Sequence, residues 1–203
     1  MTTLSGQSVS IIRGDRCLCS DLAFSVDSGE LLLIEGANGS GKTSLLRGIT
    51  GLLTLDTGEL TLNGVPVTQI WQSFRGEIIW LSHRVGFKAD LNLWENLAFE
   101  KHLRSTSNTE LRSILKRLDL DQIATLPFGF LSAGQGRRAG LARLLMGAGR
   151  IWILDEPLTN LDASGQSLVQ ELITEHLTSK GICIAASHAP LEVDARTHRI
   201  KLG

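Results

Sequence analysis

Apolar positions along this chain follow two rhythms, and their alternation predicts the fold class. LLLIEG (31–36), EIIWLS (77–82), IWILD (151–155) and GICIAAS (181–187) are short, nearly continuous apolar runs. Such runs read as strands covered on both faces, in the middle of a sheet. LAFSV (22–26) is a further strand, closed by the turn signal DSGE (27–30). Between strands the period changes. TSLLRGITGLL puts Leu45, Leu46 and Ile49 on one helical face, and an amphipathic helix is expected over about 163–179. TGELTLNGVPV (57–67) holds an Asn63–Gly64 turn between two apolar stretches, a hairpin signal. The middle third is different: LNLWENLAFEKHL (91–103) and TELRSILKRLDL (109–120) have helical spacing with no strand pattern between them. A largely parallel α/β sheet with a helical insert follows.

Composition narrows the setting. With 203 residues the chain makes one domain with a sizeable core. A net charge of -1 and no basic run leave no footprint for direct binding of nucleic acid. No apolar stretch approaches the roughly 20 residues that span a bilayer. The opening MTTLSGQSVS lacks the basic start and apolar stretch of a secretory signal, so the expected location is the cytosol, with any membrane role mediated by partners. Cys17, Cys19 and Cys183 are too few and too irregular for a disulfide framework or a zinc site.

GANGSGKT (36–43) matches the phosphate-loop pattern G-x-x-x-x-G-K-[ST] between a buried strand and a helix. Gly36, Gly39 and Gly41 allow backbone conformations that a side chain would block. The N–H groups from Gly36 through Ala37, Asn38, Gly39, Ser40 and Gly41 to Lys42, Thr43 and Ser44 can then converge on phosphate oxygens at a helix N-terminus. Lys42 supplies a charge for the β- and γ-phosphates, and Thr43 a hydroxyl ligand for Mg²⁺. IWILDEP then delivers Asp155 to the end of a buried strand, placed to hold the same ion, with Glu156 next to it to polarise an attacking water. ATP with Mg²⁺ is the implied ligand.

LSAGQGRR (131–138) is a second anion site. Ser132 can cap a helix with Gln135 completing a capping box, and Gly134 leaves room for a phosphate to approach. One compact domain does not easily bring this turn and the Lys42 loop to one phosphate; two copies placed head to tail do.

These segments resemble the ATP-binding-cassette family over essentially the whole chain. LSAGQ is similar to that family's signature, with Ala133 in place of a glycine, and LDEPLTNLD (154–162) resembles its strand-end acids followed by a loop ending at Asp162. The resemblance implies a P-loop NTPase core, an N-terminal antiparallel β subdomain and an α-helical subdomain inserted at about 85–145, all within a single ATP-binding domain spanning 1–203. It also implies that His188 contacts the γ-phosphate. A head-to-tail homodimer would sandwich two ATP molecules, each between one chain's Lys42 loop and the other's Ser132–Gly134 turn, and drive integral membrane subunits from the cytoplasmic face of the inner membrane.

Two departures stand out. Most members carry a glutamine where IWLSHRVGFKADLNLWENL (79–97) puts His83, which can likewise accept a hydrogen bond from Mg²⁺-bound water and can also protonate. That segment resembles one branch, the haem-exporter ATPases of bacterial cytochrome c maturation. The alternatives are the ATPase of another transporter or a soluble cassette ATPase in cofactor assembly. The second departure is IIRGDRCL (11–18), which lacks the aromatic residue that stacks on adenine; Arg13 takes about that position and could stack its guanidinium instead. Haem itself is not expected on this subunit, because His102, His176 and His198 are scattered and read as surface residues.

Overall fold

The structure, a computed structural model, describes residues 1–103 and 110–203. In chain order the strands are β1 (Thr3–Arg13), β2 (Arg16–Asp27), β3 (Leu31–Glu35), β4 (Thr57–Leu62), β5 (Val65–Pro66), β6 (Ile78–Leu81), β7 (Ile151–Asp155), β8 (Ile182–Ala186) and β9 (Thr197–Lys201). The helices are α1 (Lys42–Ile49), α2 (Trp71–Glu77), α3 (Leu93–Leu103), α4 (Leu111–Arg117), α5 (Ala133–Met146) and α6 (Ala163–Thr178). Thr109, read as the start of the second middle helix, lies outside the described residues, as does part of the expected 85–145 insert.

Two sheets form. β2-β1-β4-β5 is antiparallel and β6-β7-β8-β3-β9 is entirely parallel. A parallel sheet needs cover on both faces, and strand alternation divides that cover. Leu31, Leu33, Ile79, Leu81, Trp152, Leu154, Cys183 and Ala185 face a core with α3, α4, α5 and α6. Their neighbours Leu32, Ile34, Ile151, Ile153, Ile182 and Ile184 face a second core built with α1, α2 and the antiparallel sheet. Leu45, Leu46 and Ile49 are fully buried there. The hairpin turns at Asn63–Gly64, both with positive φ, and pairs Leu62 with Val65.

Because the central strands run parallel, their C-terminal ends share one edge. β3 leads into the phosphate loop, β7 ends at Asp155, β8 precedes His188, and β6 precedes His83. The sheet thus gathers four segments that are far apart in sequence.

His176 is not the surface residue expected. Its ring stacks on Trp152 with centroids 3.9 Å apart and planes 7° from parallel. Its Nε2 lies 3.2 Å from the carbonyls of both Arg150 and Ile182. Gly181 permits this, since a Cβ there would fall 2.2 Å from the ring. His198 is likewise half-buried, with Nε2 2.9 Å from Glu30, whereas His102 is exposed.

Burial lowers the pKa of His176 below its ordinary 6.5. The unfolded chain therefore takes up a proton that the native ring resists, so stability present above that value is lost as the pH falls below it. Tm should drop between about pH 7.5 and about pH 5.5. His176→Phe keeps a ring on Trp152 but loses the N–H, so it should cost about 1 kcal/mol at the higher pH and flatten the decline. Equal pH slopes for the two proteins would contradict this.

Candidate active site

The left-handed turns at Gly36, Gly39 and Gly41, with φ of 155°, 82° and 104°, wrap the loop between β3 and α1. At Gly41 a Cβ would also come within 2.9 Å of Leu18, so the loop packs against β2 only because that position is bare. Lys42 opens α1 and is only 5% exposed. Its Nζ donates to the carbonyls of Gly36 (2.8 Å) and Ala37 (3.2 Å) and lies 3.3 Å from Glu156 Oε1. Thr43 Oγ1 is 3.0 and 2.9 Å from the two oxygens of Asp155. The Ser40 hydroxyl is buried with no hydrogen-bond partner.

Glu156 adopts the left-handed region, φ 52°, unusual for a residue with a side chain. Its N–H donates to the Ala186 carbonyl at 2.8 Å. Its Oε2 accepts from the His188 backbone N–H at 3.3 Å and lies 2.6 Å from His188 Nδ1. Asp155 is 1% exposed. Burial raises its pKa and the Glu156 charge adds to that, against the Thr43 hydroxyl, His83 and Arg137.

Asn38, Gly39, Gly41, Lys42, Thr43, Ser44, His83, Glu156 and His188 line one cleft of about 450 Å³ together with Leu18 and Thr159. The donor set fits a nucleotide triphosphate and its ion. Lys42 and Thr43 hold internal partners that phosphate oxygens and Mg²⁺ can replace, and the unpartnered Ser40 hydroxyl awaits an acceptor. Among the described residues no three His, Cys, Asp or Glu side chains gather as a metal site. Mg²⁺ takes one or two protein ligands and completes its shell with phosphates and water, and the Thr43 hydroxyl beside the Asp155 carboxylate offers such a pair.

Other expected residues lie elsewhere. Arg13 is exposed on β1, its Nη1 on the Ile12 carbonyl, and Leu18 stands in the cleft wall instead. Ser132 lines a separate depression with Arg84, Phe128 and Asn160. It forms a full capping box: Ser132 Oγ accepts from Gln135 N–H at 3.2 Å, and Gln135 Oε1 accepts from Ser132 N–H at 2.9 Å. Gly134 allows the Asn160 carbonyl to come close, 3.0 Å from where a Cβ would sit. Asp162 caps α6 by accepting from Gly165 N–H at 2.9 Å, and also pairs with Arg138 at 2.9 Å. Those bonds, the Gly165 N–H first, lower its pKa.

Sequence reasoning passed over Leu18, Thr159 and the buried Arg137. Only for Leu18 was there a signal: it is the last residue of the stretch inspected for a base-stacking ring.

A buried carboxylate with a raised pKa costs stability at neutral pH, where it must be ionised. Asp155→Asn should therefore raise the nucleotide-free Tm, by roughly 2–4 °C if the gain is about 1 kcal/mol, while losing Mg²⁺-dependent hydrolysis. A lowered Tm would show that the charge is compensated in place.

Comparisons with known proteins identify the family. A family model described as ABC transporter matches residues 19–159. The cytochrome c biogenesis ATP-binding export protein CcmA of Rhodopseudomonas palustris (strain BisB5) is 41% identical over 198 residues, 97% of each chain. That of Nitrosospira multiformis is 40% identical over the full length of both, and that of Escherichia coli K12 is 38% identical over 94% of this chain and 91% of its own. Among solved structures, a putative ABC transporter ATP-binding protein from Pyrococcus furiosus superposes with a TM-score of 0.81 at 26% identity, covering 97% and 96% of the two chains. A dimeric ATP-binding cassette bound to ADP and phosphate shares the fold, with a TM-score of 0.79 at 19% identity over 92% and 88%. This chain belongs to the ABC transporter family, in the branch of the CcmA proteins of cytochrome c biogenesis, and is an ABC-type ATPase.

Proposed function

We propose that this ATPase powers a membrane complex that exports haem or releases a haem-loaded chaperone in cytochrome c maturation. The observation that carries the ATPase half is the cleft in which Lys42, Thr43, Glu156, His188 and His83 face one another. The haem half rests on relatives named for cytochrome c biogenesis and matched along nearly the whole chain.

Lys42 leaves the Gly36 and Ala37 carbonyls and Glu156 for the β- and γ-phosphates of ATP, while loop N–H groups from Gly36 to Ser44 hold the phosphate oxygens. Glu156, freed from Lys42, accepts a proton from the attacking water. His188 keeps the carboxylate aimed and donates to the γ-phosphate. Thr43 and Asp155 would hold Mg²⁺, with His83 in the same cleft as a further hydrogen-bonding group. When bound, Mg²⁺ would supply charge neutralisation at the phosphates. Leu18 gives the base an apolar contact without hydrogen bonds, which makes discrimination between bases weak, and Arg13 remains outside the cleft wall.

A second copy completes the site. Ser132 and Gly134 start α5 away from the cleft, so they meet the partner's nucleotide, with Asp162 nearby at that interface and Gln135 holding the cap. The fold-sharing cassette bound to ADP and phosphate is itself a dimer. No described helix is long and apolar enough to cross a membrane, so integral subunits provide the span and hold the chain peripherally on the cytoplasmic face. Phe130, 81% exposed, and the exposed Trp94, Phe99 and Leu126 give the stretch between β6 and β7 an apolar surface for them.

Glu156→Gln should keep nucleotide binding and lose hydrolysis by about 100-fold or more. Purified from membranes with ATP, this tagged variant should bring down small integral membrane proteins, identified by mass spectrometry, with haem seen by absorbance. A different permease would retain the ATPase and overturn the haem assignment. A purely soluble set of partners would overturn the membrane role.

A further inference from the structure

Arg137 lies in the second turn of α5, 4% exposed. The five hydrogen bonds found for its guanidinium all go to backbone carbonyls. Nη2 donates to Asp155 (2.8 Å) and Glu156 (2.7 Å), and Nη1 to Ser82 (2.8 Å) with a longer contact to His83 (3.4 Å). Nε reaches Pro157 at 3.4 Å. These carbonyls all follow Leu81 and Leu154, the last residues that β6 and β7 pair with each other. The guanidinium thus bridges the point where two neighbouring strands part into the loops carrying His83 and Glu156. A planar fork of donors can span both; the compact ammonium of lysine cannot.

Two more residues on the same face of α5 continue the attachment. A Cβ at Gly140 would fall 3.1 Å from Leu81 and 3.2 Å from Val85, so the glycine lets the segment after β6 lie against the helix. Arg143 donates to the Val85 carbonyl, pairs with Glu100 and sits 4.6 Å over the Phe87 ring. Residues 82–87 therefore ride on α5, the helix that begins at Ser132. Glu156 also sits in a left-handed conformation that persists only where its surroundings fix it. The Arg137 bond to its carbonyl and the Ala186 bond to its N–H supply that restraint. Burial draws the Arg137 pKa down to about 10, against Asp155 and Glu156, which leaves it charged at neutral pH.

We infer that Arg137 is a positioning residue: it ties α5 to the backbone of His83 and Glu156, so that movement of the helix bearing Ser132 resets the carboxylate that activates water. The inference rests on the roles given above to Glu156 and Ser132. It makes occupancy of one chain's Ser132 turn by the partner's nucleotide a signal to the first chain's own hydrolytic centre.

The test compares wild type, Arg137→Lys, Gly140→Ala and Glu156→Gln as full chains, measuring Tm, affinity for a fluorescent ATP analogue, and kcat. Arg137→Lys should lower kcat about 10- to 100-fold, the loss of charge-assisted hydrogen bonds worth that factor in rate. Analogue affinity should change less than about threefold, because no phosphate contact is removed. Gly140→Ala, which leaves Arg137 intact but presses the segment after β6 off the helix, should lower kcat in the same selective way. Wild-type kcat in Arg137→Lys, or affinity and Tm falling in step with kcat in both variants, would overturn the inference. If Glu156→Gln still hydrolyses ATP at the wild-type rate, the reading of the site itself has failed. Loss in Glu156→Gln with wild-type kcat in Arg137→Lys overturns the positioning role alone.

Discussion

The meeting of the loop after β3 with the end of β7 is the constraint around which the molecule is arranged. Thr43 reaches both oxygens of Asp155, and Lys42 lies against Glu156. Four polar side chains are thereby packed where two buried strands end, and hiding a charge or a hydroxyl there without partners costs free energy. The parallel sheet makes the meeting possible, since it brings these ends to one edge. These side chains satisfy one another, and on the proposed function the same hydrogen-bonding capacity would turn to phosphate. Stability and activity compete at this point, most clearly at Asp155, whose burial raises its pKa.

The second feature follows from where α5 begins. Its capped N-terminus presents Ser132 at a depression separate from the cleft, while its second turn delivers Arg137 to the cleft's own backbone. One helix thus touches two places: the first chain's hydrolytic end from behind, and the surface on which a second copy would present its nucleotide. On the proposed function, a site divided in this way would give ATP a reason to bring two chains together and would give the pair a route by which closure is felt at the chemistry.

Most of the fold could be read from the sequence because its signals are local. LLLIE, IWILD and ICIAA are apolar on both faces, and the two cores take alternate residues from each. The phosphate loop and the strand-end acids show themselves as residue types at a fixed spacing along the chain. What escaped notice depends on the backbone or on distant packing. Arg137 stands inside a segment read for its serine and glycine, and its partners are carbonyls that no residue type reveals. His176 looked like one of several scattered histidines, yet Trp152 and Gly181 make it an interior ring. Arg13 was placed by distance along the chain, but register shifts in β1 against β2 between Gly6 and Ile12 break that count, and Leu18 lines the cleft. β9 and α2 were missed because each shows a single buried large apolar side chain, Ile200 and Phe74, too little for a period.

The central claim is that each ATP site is shared between two copies of this chain. Mixing two inactive variants tests it most directly. Lys42→Ala removes the phosphate-loop charge, and Ser132→Arg blocks the α5 turn, so neither homodimer has a working site. A mixed dimer has one site with Lys42 from the second chain and Ser132 from the first, both intact. The account predicts that mixing restores ATPase activity, towards about a quarter of wild type if random pairing makes half the dimers mixed and each has one working site. If the mixture stays as inactive as its components while each variant still folds and mixed dimers form, the site is not shared and the account is wrong.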